Sequence, residues 1–179
     1  MELIAIAGNA RSGKDSLCES LRILYEIRKK KVTRIAFADD LKEEVDEFLK
    51  SSLGISAFTQ DNDEKNIIRP FLVWWGTEFR RSLDEDHWVK LAEKKLDRDG
   101  INIITDLRYP NEAAWVKKNG GSIIYLERFT SSGVIAPANS YEREFNPQLK
   151  KMADTCLKWG ELSDKKDRLD YVLKEYKLL

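Results

Sequence analysis

Residues 3–16 read LIAIAGNARSGKDS, and this stretch decides the fold. Residues 3–7 form a short apolar run that stops at Gly8, the pattern of a buried strand. Gly8 to Lys14 fits GxxxxGK. Residues 14–28 then place Leu17, Leu21, Leu24 and Tyr25 on one helical face. A strand, a glycine loop and an amphipathic helix in this order make a phosphate cradle. The glycines let the backbone curl so that successive amides point at phosphate oxygens. The helix adds its N-terminal dipole, and Lys14 adds a full charge for the β- and γ-phosphates. The expected phosphate-binding set is Gly8, Ala10, Arg11, Ser12, Gly13, Lys14, Asp15 and Ser16. Asp15 stands where a magnesium-binding Ser or Thr is usual, and Ser16 follows it. Either Asp15 holds Mg²⁺, directly or through water with Ser16 supplying a hydroxyl, or it is an acidic residue favoured by the helix dipole.

Outward from the loop, strands alternate with helices. Residues 32–38, 101–105, 122–127 and, weakly, 152–158 read as further strands. Asp40 and Glu43 have capping-box spacing before Leu41, Val45, Phe48 and Leu49. Residues 54–66 read as a loop, and Pro70 suits the first turn of a helix to about Arg81. A helix follows over 85–96, and Pro110 opens another that Asn119-Gly120-Gly121 stops. Residues 129–147 read as loop, and Leu169, Val172, Leu173 and Tyr176 line a last helix. This alternation implies a single α/β domain over 1–179, a three-layer α/β/α sandwich with a mostly parallel five-stranded sheet. Ligands in such sheets lie at the carboxyl ends of the strands.

Composition narrows the function classes. The chain has 179 residues, with 31 Lys+Arg balanced by 31 Asp+Glu. A net charge of zero argues against a nucleic-acid polymer as partner, because counterion displacement needs a basic excess. A few placed cations still suffice for a phosphorylated small molecule. No apolar run reaches the roughly 20 residues of a membrane helix, and the polar turn at Asn9 argues against a secretory leader. The expected setting is cytoplasmic, or the host cytoplasm for a viral chain. Cys18 and Cys156 make neither a disulfide framework nor a metal motif, and the single His87 reads as an exposed or satisfied polar residue.

The motifs GNARSGKDS (8–16), FADDLKEE (37–44), WWGTEFRRSLDEDHWVK (74–90), DLRYPNEAAWVKKNGG (106–121) and ADTCLKWGELSDKKDRL (153–169) occur in one order along the chain. In that combination the sequence resembles the phage-type deoxynucleoside monophosphate kinases, while the loop alone is shared with phosphomevalonate kinases. The resemblance implies a P-loop kinase fold that moves the ATP γ-phosphoryl group to a deoxynucleotide with Mg²⁺. It departs at Asn139-Ser140-Tyr141-Glu142, where members often carry His-x-Ser-Glu, so the role of that histidine is not carried over.

Individual residues carry two readings each. Asp106, after the strand at 101–105, is placed to orient Mg²⁺ and its waters, and Arg108 to clamp an acceptor phosphate. The bland alternative is an Asp–Arg pair that fixes the turn before Pro110. Asp39 and Lys42 face the acceptor or cap a helix. Arg69 and Arg80 are candidate acceptor-phosphate ligands, and Trp75 and Trp88 candidate stacking surfaces, against the simpler reading of aromatics as core. The acceptor-binding helical segment is expected over about 39–98, and Arg108 and Glu112 beyond it complete the expected acceptor set. Residues 129–147 are the lid candidate with Arg128 and Arg143, against an ordinary surface loop. Lys14, Arg11, Asp106, Arg108 and Arg128 are the expected catalytic residues, and Asp15, Ser16 and Asp106 the expected metal set. A homodimer is left open. The alternatives are a P-loop kinase for another small metabolite, for which an alcohol acceptor would need a base such as Asp39, or a non-catalytic ATP-binding sensor.

Overall fold

The computed structural model describes residues 1–160, 170–172 and 174. Within them the chain divides into two compact units. One combines Met1–Ile35 with the residues from Leu96 onward, and the other is the insertion Ala36–Lys95.

The first unit is built on strand β1 (Glu2–Ala7), helix α1 (Lys14–Ile27) and strand β2 (Val32–Ile35). The second unit holds α2 (Phe37–Leu53), α3 (Asn62–Val73), a π-helical turn (Trp74–Phe79), α4 (Arg80–Leu83) and α5 (His87–Lys94). The first unit resumes with β3 (Ile101–Leu107), α6 (Pro110–Lys118), β4 (Ser122–Thr130), β5 (Gly133–Val134), α7 (Ser140–Met152) and β6 (Thr155–Trp159). Five strands are parallel in the order β2-β3-β1-β4-β6, and β5 pairs antiparallel with the end of β4. The five-stranded parallel sheet is the expected α/β architecture, with β5 as a two-residue addition.

Burial follows from strand alternation. Ile4 and Ile6 pack with Leu17, Leu21 and Leu24 of α1 in a cluster that includes Ile103, Ile124, Leu157 and Trp159. Leu3 points the other way, towards Val116 of α6, and both crowd Gly121 so closely that a Cβ there would lie 2.7 Å from Val116. Central strands buried on both faces explain the unbroken apolar runs.

Several boundaries differ from the sequence expectation. The strand expected over 32–38 ends at Ile35, and Phe37 already opens α2 with Ala36 as its cap. Asp40 is therefore in the first turn, not in a capping box; its buried carboxylate pairs with Lys95 at 2.8 Å. The loop over 54–66 ends early, because Asp61 caps α3 by accepting from the amides of Asp63 (2.9 Å) and Glu64 (3.0 Å). Pro70 lies inside that helix, not in its first turn. Part of the 129–147 segment is ordered structure, since β4 runs to Thr130 and α7 begins at Ser140. Of the expected last helix, Leu169, Leu173 and Tyr176 lie outside the described residues, while Val172 is buried in the α1 cluster.

Candidate active site

The phosphate loop connects β1 to α1. Gly8 and Gly13 have φ of 145° and 93°, conformations that favour glycine. A Cβ on Gly13 would lie 2.9 Å from Cζ2 of Trp159, and one on Gly8 would run into the Leu126 carbonyl. Both glycines are therefore required twice, by backbone angle and by space. Arg11 also has positive φ, 63°, which is uncommon for a side-chain-bearing residue and typical of a functional loop tip. Ser12 is 0 % exposed, and its Oγ has no hydrogen-bond partner among the described residues. Buried hydroxyls rarely stay unpaired. That orphan donor, with two glycines that leave no room for a Cβ, is the cradle expected of a phosphate-binding loop.

Lys14 Nζ donates to the Gly8 and Asn9 carbonyls, at 2.9 Å each. Burial, and next the Arg108 guanidinium, pull its pKa below the ordinary lysine value, while Glu142, Asp15 and Asp106 oppose them. The fold thus gathers Lys14, Asp15, Asp106, Arg108 and Glu142 into one electrostatic cluster. Asp106 is not beyond the strand, as the sequence suggests, but within β3. The β1–β3 register slips between Ala5 and Ala7, beside the start of the loop. Ser16 lies in the first turn of α1, where its carbonyl accepts from Ser20 Oγ at 3.0 Å. Among the described residues no three His, Cys, Asp or Glu side chains converge to hold a metal ion. Asp15 and Asp106 both act on the charge of Lys14, and carboxylate and hydroxyl oxygens are the donor type that Mg²⁺ takes.

Arg128 lies in β4, two residues before its end, and Nη1 donates to the Arg11 carbonyl at 3.4 Å. Arg143 is exposed on α7. Arg108 is exposed after β3. Glu112 differs from its expected acceptor role. It is 2 % exposed, and Oε2 accepts from the amides of Arg108 (2.8 Å) and Tyr109 (3.0 Å), so it caps α6. It positions the Arg108 backbone.

Two contributors were not singled out in the sequence. Trp159 lies under the loop, and its Nε1 donates to the Ser12 carbonyl at 2.9 Å. Its signal was a lone Trp at the carboxyl end of the last strand. Asn9, an unspecified position of the motif, donates from Nδ2 to the Ile135 carbonyl at 2.6 Å and accepts from Asn146 Nδ2.

The other expected acceptor residues lie in the second unit. Trp75, Phe48, Phe71, Val45 and Glu44 line a cavity of about 280 Å³. Trp75 Nε1 donates to Glu44 Oε1 at 3.2 Å. Arg80 also pairs with Glu44, and its guanidinium lies 5.2 Å from the Trp75 ring centroid. Arg69 is exposed, Lys42 Nζ sits 5.5 Å over the Phe58 ring, and Asp39 is half-buried in the first turn of α2. Trp88 corrects the stacking expectation: it is 4 % exposed, and Nε1 is spent on the Gly76 carbonyl at 2.9 Å. His87 is a satisfied polar residue, with Nε2 3.2 Å from Glu44 Oε2.

Comparison with known proteins agrees with this geometry. The family model for phosphomevalonate kinase matches residues 6–122. No curated protein sequence matches the chain. Shikimate kinase from Bacteroides thetaiotaomicron superposes with a TM-score of 0.52 at 12% identity, covering 99% of each chain. The protein TT1252 from Thermus thermophilus superposes with a TM-score of 0.50 at 16% identity, covering 99% of this chain and 98% of that one. At such identities the likeness establishes a shared P-loop kinase fold.

Proposed function

This chain belongs to the phosphomevalonate kinase family and is a P-loop phosphotransferase, and from that premise we propose that it is a deoxynucleoside monophosphate kinase. It would transfer the ATP γ-phosphoryl group to a deoxynucleotide 5′-phosphate. The observation that carries this reading is the aromatic cavity of the second unit, walled by Trp75, Phe71 and Phe48. A purine or pyrimidine has a π-face that such walls favour, and stacking is worth ~1–3 kcal/mol per base. The motif run from GNARSGKDS to DLRYPNEAAWVKKNGG supports the same acceptor class.

The chemistry suits the residues. A phosphate monoester has a second pKa near ~6, so the attacking oxygen is already ionised at neutral pH. No general base is required, and catalysis reduces to positioning and charge neutralisation. The loop amides and Lys14 would hold the β- and γ-phosphates, Arg108 the acceptor phosphate. Arg11 and Arg128 would neutralise charge on the transferring group. Asp106, Asp15 and Ser16 would hold a Mg²⁺, which would supply charge neutralisation to the polyphosphate.

A second reading follows from the family match itself: the acceptor is a small phosphorylated aliphatic metabolite. One assay separates the two. ADP formation from ATP and Mg²⁺ is followed with each of the four deoxynucleoside monophosphates, with phosphomevalonate, and with no acceptor. We expect turnover with at least one deoxynucleotide and a loss of about 100-fold or more in Lys14→Ala. Turnover with phosphomevalonate alone would establish the second reading and reject the first.

A further inference from the structure

A carboxylate accepts a hydrogen bond from a backbone amide of the phosphate loop. Both oxygens of Glu142, in the first turn of α7, face the Ala10 amide, at 3.1 and 3.2 Å. Oε2 also accepts from the Ala138 amide at 2.8 Å. The backbone of Glu142 is fixed by the cap of α7, where its amide donates to Asn139 Oδ1 at 2.9 Å. Two neutral contacts flank this one, from Asn9 to the Ile135 carbonyl and from Asn146 to Asn9. Residues 135–146 are therefore docked on positions 9 and 10 of the loop, and Glu142 supplies the only charged link among these contacts.

A loop amide beside Lys14 is the kind of donor that binds polyphosphate, and two anions cannot share it. A carboxylate there meets a triphosphate with like-charge repulsion in a partly desolvated site, where such terms are large. The neutral Asn9 contacts carry no such conflict.

We propose that Glu142 is an internal anion that stands in for nucleotide phosphate, and that polyphosphate binding displaces its carboxylate from the Ala10 amide while the Asn9 contacts persist. The loop then alternates between an internal and an external anion. The occupied state lowers apparent nucleotide affinity by the fraction of molecules in which Glu142 is docked. This inference rests on the loop binding a polyphosphate and is independent of the acceptor's identity.

Calorimetric titration of the full chain with inorganic tripolyphosphate and with Mg²⁺-ATP tests it, in wild type and E142Q. The glutamine keeps the shape and an acceptor oxygen but removes the charge. We expect E142Q to bind tripolyphosphate about tenfold more tightly, which is ~1.4 kcal/mol. Equal or weaker binding overturns the proposal, since it would make Glu142 a support for the loop. Amide hydrogen exchange on the wild-type chain gives the same answer without a variant. On adding tripolyphosphate, residues 10–14 should become protected while the Ala138 amide exchanges faster; slower or unchanged exchange at Ala138 overturns the proposal. If neither ligand binds wild type, the phosphate-loop reading itself fails, an outcome distinct from binding with the wrong sign in E142Q.

Discussion

Trp159 shows how much of the loop's geometry rests on a side chain far from it in sequence. Its indole closes one side of Gly13 and holds the Ser12 carbonyl. Trp159→Phe keeps an aromatic ring but removes the donor, which leaves a buried carbonyl unpaired at a cost of about 1–3 kcal/mol. We expect melting to fall by roughly 2–4 °C per kcal/mol for a chain of this size, together with weaker ATP binding. Scanning calorimetry and an ATP titration check the two effects, and unchanged ATP affinity would make Trp159 a core residue only. The motif GxxxxGK was legible because spacing alone defines it. Trp159 was not, because nothing local relates residue 159 to residue 13. The same limit separates Trp75 from Trp88. Both are aromatics in helical segments, yet Trp88 is buried against Gly76, and Trp75 lines the cavity.

Elements were legible where one strong signal marked each end, and misplaced where two signals competed. Pro110 opens α6 as expected, because a proline at the first helical position lacks only a donor that would be unsatisfied anyway. Pro70 carries the same signal and misleads, because Asp61 with Asp63 and Glu64 starts α3 earlier. The carboxylate of Asp61 satisfies two otherwise orphaned amides, and the following acids suit the dipole. Asp61→Ala should therefore destabilise the protein by about 1 kcal/mol, and Asp61→Asn by much less. Urea denaturation measures both; equal losses would assign the effect to charge and not to the cap. Downstream, the helix widens into a π-helical turn over Trp74–Phe79, in which the Arg80 amide reaches back to the Trp75 carbonyl. Such turns are common at functional sites. No periodicity count could have found this one, since it shifts the helical phase within a single run of aromatics. At Asp40 the capping-box spacing was present, but the ion pair with Lys95 claims the buried carboxylate.

At the scale of the whole molecule, charge balance and division into two units bear on function together. A chain with no net charge carries its cations in places: Lys14, Arg11, Arg108 and Arg128 belong to one unit, and Arg69 and Arg80 to the other. On the proposed function, ATP phosphates engage Lys14, Arg11 and Arg128, and the acceptor's base the aromatic cavity of the second unit. A ligand that binds only the native state stabilises it by about 2.7 kcal/mol at a hundredfold excess over its dissociation constant. Local opening is suppressed first where the ligand makes its contacts, because proteins open in separate cooperative segments. Each ligand alone should therefore leave its own footprint in amide hydrogen exchange. A non-hydrolysable ATP analogue should protect residues 8–16 and the end of β3 around Asp106. A deoxynucleoside monophosphate should protect α2 and the aromatic run from Phe71 to Phe79. If the monophosphate instead protects only the phosphate loop, the cavity beside Trp75 is not its site. The aromatic residues then serve the core of their unit, and the acceptor's base must be sought in the first unit, near Arg108.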